Sequence, residues 1–160
     1  MKKFRVSEET LEEAKRRAEA LPLLNNSIRA GEGAIVGYLG EALVKKVLNG
    51  DIKDTFDYDI IYGDGIRVDV KTKQRTSAPR GDYNCTVADF NTRQECDEYA
   101  FVSVLGDHTY AWYLGKIGKA SFYEKATFYE AGELDPNSSP NSPFHFRAAC
   151  YNLDISQLSQ

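Results

Sequence analysis

The pattern of apolar residues changes abruptly near the middle of this chain, and this change constrains the fold more than any other feature. Over residues 32–48 apolar side chains recur with the period of a helix, and over residues 55–72 they alternate with polar ones as in strands. The sequence Gly-Asp-Gly at residues 63–65 divides the alternating stretch, which is typical of a hairpin turn. The patterns therefore predict a helix over about Glu32–Leu48 and strands over Thr55–Tyr62 and Ile66–Thr72.

The remaining patterns predict a mixed α/β or α+β fold with a mostly central sheet. Ser7 followed by two glutamates is typical of a helix N-terminus, so a charged helix is predicted at about residues 7–21, ending before Pro22. The other predicted elements are loops at 23–31 and 132–143, strands at Tyr83–Val87, Tyr99–Leu105, Tyr110–Ile117 and Phe144–Leu153, a short helix at 118–125, and a final helical turn at Asp154–Leu158.

Length, charge and cysteine content narrow the class of protein. A chain of 160 residues suits a single domain over residues 1–160. The net charge of −4 excludes a uniformly basic nucleic-acid-binding surface but permits a local basic strip. Three cysteines without a CxxC pair predict free thiols in a reducing compartment, without a disulfide framework or a zinc knuckle.

Hydrophobic run lengths predict a protein that does not enter membranes. The sequence contains no apolar run of the roughly 18 residues that a membrane span requires. Charged residues at positions 8–13 occupy the place where a signal peptide needs apolar ones. We therefore expect a cytoplasmic protein, in the host cytoplasm if the chain is phage-encoded.

Carboxylates and a lysine gather on one face of the predicted hairpin if its turn, residues 63–65, holds three residues. Asp59 then faces Asp69, and Asp57 faces Lys71, because directly opposite residues of paired strands are neighbours. Residues two apart share a face, so all four side chains would form one patch. A two-residue turn would shift the register by one and break this arrangement.

Such a patch favours a divalent cation. Carboxylates crowded into a cleft repel one another strongly, and a bound cation removes that repulsion. Carboxylate and carbonyl oxygens suit Mg²⁺ or Mn²⁺, whereas Zn²⁺ usually takes histidine or cysteine. Lys71 beside the cation could orient a water molecule and contact a phosphate.

The spacing of Asp59, Asp69 and Lys71 resembles the motif of the PD-(D/E)XK nuclease superfamily. The second acidic position is aspartate here, and Tyr58 stands where that family usually has proline. Asp57 is a rival for the first acidic position. Asp59 is preferred because two isoleucines follow it, as in the family.

The resemblance extends back to a helix. Glu41, within the sequence Gly-Tyr-Leu-Gly-Glu, is similar to the acidic residue of the helix that precedes the motif, so about 35 residues are covered, from Gly37 to Lys71. The resemblance implies a restriction-endonuclease-like core, a central mixed sheet flanked by helices in the order αβββαβ. It also implies one or two Mg²⁺ ions, with Mn²⁺ as a substitute, held by Glu41, Asp59, Asp69 and the Val70 carbonyl.

The function implied is Mg²⁺-dependent hydrolysis of DNA phosphodiester bonds by a metal-activated water, in phage or bacterial DNA metabolism. The catalytic residues would be Glu41, Asp59, Asp69 and Lys71, and whether cleavage is endo- or exonucleolytic stays open. The alternative is a catalytically silent nucleic-acid- or protein-binding module of the same fold. DNA is the expected partner, and a homodimer would suit cleavage of both strands. Polar residues near the motif are expected to contact the DNA backbone, namely Lys45, Lys73, Gln74 and Arg75.

Overall fold

A computed structural model describes residues 1–20, 32–53 and 55–160 of the chain and shows a mixed α/β fold. The predicted loop at 23–31 lies outside the described residues. Among the described residues the helices are α1 (Glu8–Glu19), α2 (Glu32–Leu48) and α3 (Lys119–Lys125), with 3-10 helices at Asp89–Arg93 and Ile155–Gln157. The strands are β1 (Lys2–Arg5), β2 (Asp51–Ile52), β3 (Ile60–Tyr62), β4 (Ile66–Arg75), β5 (Asn84–Ala88), β6 (Glu98–Leu105), β7 (Tyr110–Gly118), β8 (Thr127–Tyr129) and β9 (Cys150–Asp154).

The strands form two sheets. A six-stranded mixed sheet has the order β1-β7-β6-β4-β3-β2, in which β4 and β6 are parallel and the other neighbours are antiparallel. A three-stranded antiparallel sheet has the order β5-β9-β8. The predicted α/β class with a central mixed sheet is confirmed.

The predicted helices agree with the structure, and two predicted strands are too long. The helix predicted over Glu32–Leu48 is α2, and the Ser7 side chain caps α1 by accepting a hydrogen bond from the Thr10 amide. The strand predicted over Thr55–Tyr62 begins only at Ile60, because residues 55–58 close a turn through backbone and hydroxyl bonds to the Tyr58 carbonyl. The strand predicted over Phe144–Leu153 begins only at Cys150, because the preceding residues bond instead to residues 132–135.

The three-residue turn of the hairpin is confirmed. Tyr62 pairs with Ile66 and Ile60 pairs with Val68 across β3 and β4. The turn needs its glycine at position 65, where φ is +99°, because residues with a side chain rarely adopt that backbone conformation. This register carries Asp59 to the level of Asp69, as the sequence predicts.

Helix α2 packs on one face of the mixed sheet. Its buried side chains, including Leu39 and Val44, contact Ile60 and Val68 of the hairpin. Gly40 permits the close approach, because a Cβ atom there would lie 1.8 Å from the Thr72 hydroxyl oxygen. The other face carries a second core, in which aromatic residues of β6 and β7 pack with Phe122 of α3 and with β5 and β9.

The order of elements around the hairpin matches only part of the implied αβββαβ core. Helix α2 is followed by three antiparallel strands, β2 to β4, and then by the parallel strand β6. The connection between β4 and β6, residues 76–97, is fully described and contains β5 and a 3-10 helix where the resemblance implies an α-helix.

Two further expectations concern cysteines and membranes. All three cysteines are free and buried, as predicted, and burial raises the pKa of the Cys85 thiol to about 12. Within the described part of the chain, every helix is too short or too polar to cross a membrane.

Candidate active site

Strand β4 presents Asp69 and Lys71 together on the sheet face opposite α2. Their neighbours Val68 and Val70 pack in the α2 core, so the alternating residues project to the other side. The Lys71 ammonium lies 2.6 Å from Asp69 Oδ2, and the two side chains are 18% and 5% exposed. The two groups form an ion pair, but their relative orientation does not meet the geometry of a hydrogen bond. Asp69 Oδ2 is therefore buried without a hydrogen bond among the described residues. The predicted proximity of these two residues is therefore confirmed.

Gln94 completes this pair, and the sequence analysis missed it. Its amide nitrogen donates to Asp69 Oδ1 at 2.9 Å and to the Phe56 carbonyl at 2.8 Å, while its amide oxygen accepts from the Lys71 ammonium at 3.1 Å. The residue is 8% exposed and lies 25 positions from Asp69, just before β6. No local pattern marks it, because only the parallel pairing of β4 with β6 brings it to the site.

An ion pair at the start of β4 and β6 supports this pairing. The Arg67 guanidinium makes two hydrogen bonds to the Asp97 carboxylate, at 3.0 and 2.9 Å, and the Arg67 amide donates to the same carboxylate. These bonds lower the pKa of Asp97 to about 2. Because Asp97 lies three residues after Gln94, the ion pair helps to hold that glutamine against Asp69.

Replacing Gln94 with alanine is expected to destabilise the site. The change leaves Asp69 Oδ1 buried without its amide donor, which costs about 2 kcal/mol of unfolding free energy. For a domain of this size the melting temperature should fall by about 4–8 °C. Thermal melting monitored by circular dichroism measures the effect. Gln157→Ala, at an exposed position without hydrogen bonds among the described residues, is the control, and an equal shift in both variants would contradict the assigned contacts.

The Asp59 side chain contacts the backbone of β4 from the side on which β3 pairs with it. Its carboxylate accepts a hydrogen bond from the Val70 amide at 2.7 Å, and its own amide donates to the Val68 carbonyl. Because the amide and carbonyl of a strand residue point to the same side, the Val70 carbonyl also faces the edge where Asp59 lies. The Asp59 carboxylate therefore lies beside the backbone that joins Asp69 to Lys71.

Asp57 does not occupy the position that the extended hairpin predicted. The pairing of Asp57 with Lys71 is wrong, because the chain leaves strand geometry before Ile60. The Asp57 carboxylate instead accepts a hydrogen bond from the Glu95 amide at 3.1 Å. The geometry favours Asp59 over Asp57 as the first acidic residue of the motif.

Glu41 is held by the first helix. Its carboxylate accepts a hydrogen bond from the Arg17 guanidinium at 2.8 Å, and both side chains are mostly buried. The Arg17 guanidinium lies 3.9 Å from the ring centre of Tyr38, one turn earlier in α2. Glu41 thus joins α1 to α2 as well as being the predicted acidic residue of the helix.

The acidic residues supply oxygen donors of the type that Mg²⁺ prefers. Asp69 Oδ2 is buried without a hydrogen bond from any residue that the structure describes, and the Asp59 carboxylate and Val70 carbonyl share one strand edge. Across residues 1–20, 32–53 and 55–160, no three histidine, cysteine or acidic side chains lie close enough to hold one ion as they stand. The donors fit the cation by chemical type, and magnesium binding stays a prediction.

Two of the predicted substrate-binding residues share the face of Lys71. Lys73 and Arg75 follow it at strand spacing. Arg75 donates to the Ser103 hydroxyl at 3.0 Å and to the Asn84 carbonyl at 2.9 Å, which ties β4 to β5 and β6. Lys73 is exposed at a concave surface, where desolvation by the surrounding protein and the nearby Arg75 lower its pKa.

The other two predicted substrate-binding residues lie elsewhere. Gln74 projects to the α2 side of β4, and its amide donates to the Gly106 carbonyl at 3.3 Å. Lys45 lines a groove between α1 and α2, together with Arg17 and Tyr38. Neither lies on the face of Asp69 and Lys71, and their contacts with DNA stay predictions.

No protein-family model matches this chain, and no curated protein matches it in a sequence search.

Proposed function

We propose that this protein is a divalent-cation-dependent deoxyribonuclease with its reaction centre at Asp59, Asp69 and Lys71. One observation carries the proposal. A buried carboxylate and an ammonium lie 2.6 Å apart on β4, and a second carboxylate bonds to the backbone amide between them. Helix α2 followed by the motif hairpin is the part of the implied core that supports the proposal.

The proposed cation ligands are Asp59, Asp69 and the Val70 carbonyl, with Glu41 as the contribution of α2. A cation held there would act as a Lewis acid and stabilise negative charge on the reacting phosphate. This role suits Mg²⁺, which is usually bound through one or two carboxylates and takes water and substrate phosphate oxygens as its other ligands.

Lys71 has the proposed role of contacting the phosphate and the attacking water. Its ammonium has three donors, of which one faces Asp69 and one bonds to Gln94. The third can donate to a phosphate oxygen, where a fixed positive charge stabilises the negative charge that develops during hydrolysis. Asp69 and Gln94 hold the ammonium in place, so little reorganisation is needed when substrate binds.

Cleavage assays with matched variants test this proposal. Supercoiled, linear duplex and single-stranded DNA are incubated with the protein and Mg²⁺ or Mn²⁺, and with EDTA as the metal-free control. We expect the wild type to cleave only with a divalent cation and Asp69→Asn to lose about a hundredfold in rate or more, as when an electrostatic group is removed from a reaction centre.

Asp64→Asn is the matched control, because Asp64 is an exposed aspartate at the tip of the same hairpin. We expect this variant to cleave at the wild-type rate. Cleavage in EDTA, or equal rates for Asp69→Asn and wild type, would contradict the proposal. DNA binding without any cleavage would favour the silent binding module instead.

A further inference from the structure

A concave surface next to the candidate active site is unused by the proposed chemistry. We name it the Lys73 pocket, a cavity of about 470 Å³ between β4, the second sheet and the segment before β9. Its volume lies in the range of small-molecule sites. The lining residues used below are Lys73, Asn84, Thr86, Phe144, Arg147 and Asn152.

The Lys73 pocket adjoins the reaction centre. A smaller cavity of about 140 Å³ is lined by both Lys71 and Lys73, together with Asn84 and Thr86 of β5. Lys71 and Lys73 lie two residues apart on one strand face, which separates their backbone positions by about 7 Å. A ligand that touches Lys73 in the pocket is therefore next to a group bound at Lys71.

The pocket has an exposed aromatic face that is held in place. Phe144 is 45% exposed, and its ring lies nearly perpendicular to the ring of Phe146, with ring centres 5.8 Å apart. Phe146 is buried and stacks on Tyr129 with ring centres 4.6 Å apart. The Phe144 carbonyl accepts a hydrogen bond from the Asp135 amide, and Phe146 bonds through its backbone to Gly132 and Glu133, which fixes the segment further. A planar ring can stack on the exposed ring of Phe144 without ordering it first.

The pocket is also lined by two cationic side chains. Among the described residues, Lys73 and Arg147 make no salt bridge and no side-chain hydrogen bond, while one acidic residue, Asp135, lines the same cavity. Asn152, 6% exposed, uses its amide oxygen to accept from the Thr86 hydroxyl at 2.6 Å, which orients its amide nitrogen. An aromatic face, two cations and side-chain amides together match a ligand with a ring, an anionic group and polar edges.

We propose that the Lys73 pocket binds an unpaired nucleotide of DNA beside the scissile phosphate. Its base stacks on Phe144, and its phosphate contacts Lys73 and Arg147. A base within a duplex is stacked on both faces and must leave the helix before it can enter such a cavity. The preferred substrate is therefore single-stranded or frayed DNA. The link to cleavage rests on the proposed nuclease function, whereas binding of the unpaired nucleotide does not.

Binding of labelled DNA in EDTA tests the pocket without cleavage. A fluorescein-labelled thymidine oligomer and a duplex are titrated with the full chain, and anisotropy gives Kd at several salt concentrations. We expect the single strand to bind at least about tenfold more tightly than the duplex, and Phe144→Ala to weaken single-strand binding about tenfold, a typical loss for one stacked base. Lys73→Ala should reduce the steepness of the plot of log K against log salt concentration by about 0.7, the value for one phosphate contact on a single strand. Phe144→Ala should leave this slope unchanged.

Matched variants separate the pocket from general surface effects. Phe128→Ala removes a phenylalanine of similar exposure, 43%, outside the pocket, and Lys125→Ala removes an exposed lysine of α3. Equal losses for Phe144→Ala and Phe128→Ala, or duplex binding as tight as single-strand binding, would overturn the inference. If the wild type fails to cleave DNA with Mg²⁺ but these binding differences hold, the pocket stands and the hydrolytic function fails. If cleavage occurs but Phe144→Ala binds normally, the pocket fails and the nuclease stands.

Discussion

Replacing Lys71 with methionine is expected to abolish most DNA cleavage and also to destabilise the fold. The rate should fall about 10²–10³-fold, because the ammonium that we propose to contact the reacting phosphate is lost. The free energy of unfolding should fall by about 3 kcal/mol, because the Asp69 carboxylate is left buried without its counter-charge. Urea denaturation and cleavage with Mg²⁺ measure the two effects on the same preparation.

A double variant separates these two consequences. Asp69→Asn combined with Lys71→Met removes both charges, while the asparagine oxygen can still accept the hydrogen bond from Gln94. We expect most of the lost stability to return, because no unpaired charge remains, and cleavage to stay absent. Stability that does not recover would contradict a coupled buried ion pair. Cleavage by either variant at the wild-type rate would exclude Lys71 from the reaction.

Gly40→Ala is expected to destabilise the packing of α2 against β4 by adding a single methyl group. The new Cβ would lie 1.8 Å from the Thr72 hydroxyl oxygen and 3.0 Å from the Thr72 Cβ, so α2 and β4 must move apart. Overpacking of this kind costs about 3 kcal/mol. The melting temperature should therefore fall by about 6–12 °C in a thermal scan. Glu41, the next residue, should shift away from the hairpin as well.

Gly37→Ala is the matched control in the same helix. No described atom lies within 4 Å of a Cβ built at Gly37, so alanine there should be neutral or stabilise the helix by up to about 1 kcal/mol. Thr72→Ala combined with Gly40→Ala removes the nearest atom and should restore part of the stability. A Gly40→Ala protein as stable as Gly37→Ala would show that α2 and β4 are not so closely packed.

Local sequence patterns were sufficient for the helices and for the hairpin that carries the motif. The three-residue turn follows from Gly-Asp-Gly between alternating stretches, and it places Asp59 at the level of Asp69. The same patterns did not predict that residues 55–58 turn, because bonds to the Tyr58 carbonyl outweigh the strand propensity of that stretch. Asp57 is therefore bonded to Glu95 instead of facing Lys71.

The sequence by itself determined the mixed α/β class, the bounds of α2, the register of the hairpin and the meeting of Asp69 with Lys71. These features depend on periodicity and turn chemistry, which act over a few residues. Only the tertiary structure decided that Gln94 bonds to Asp69 and Lys71, and that Glu41 bonds to Arg17 of α1. It also decided that Lys45 and Gln74 lie away from the face of Asp69 and Lys71. Such contacts join residues 23 or more positions apart in the chain, so they form only after strands and helices have packed and leave no local signal.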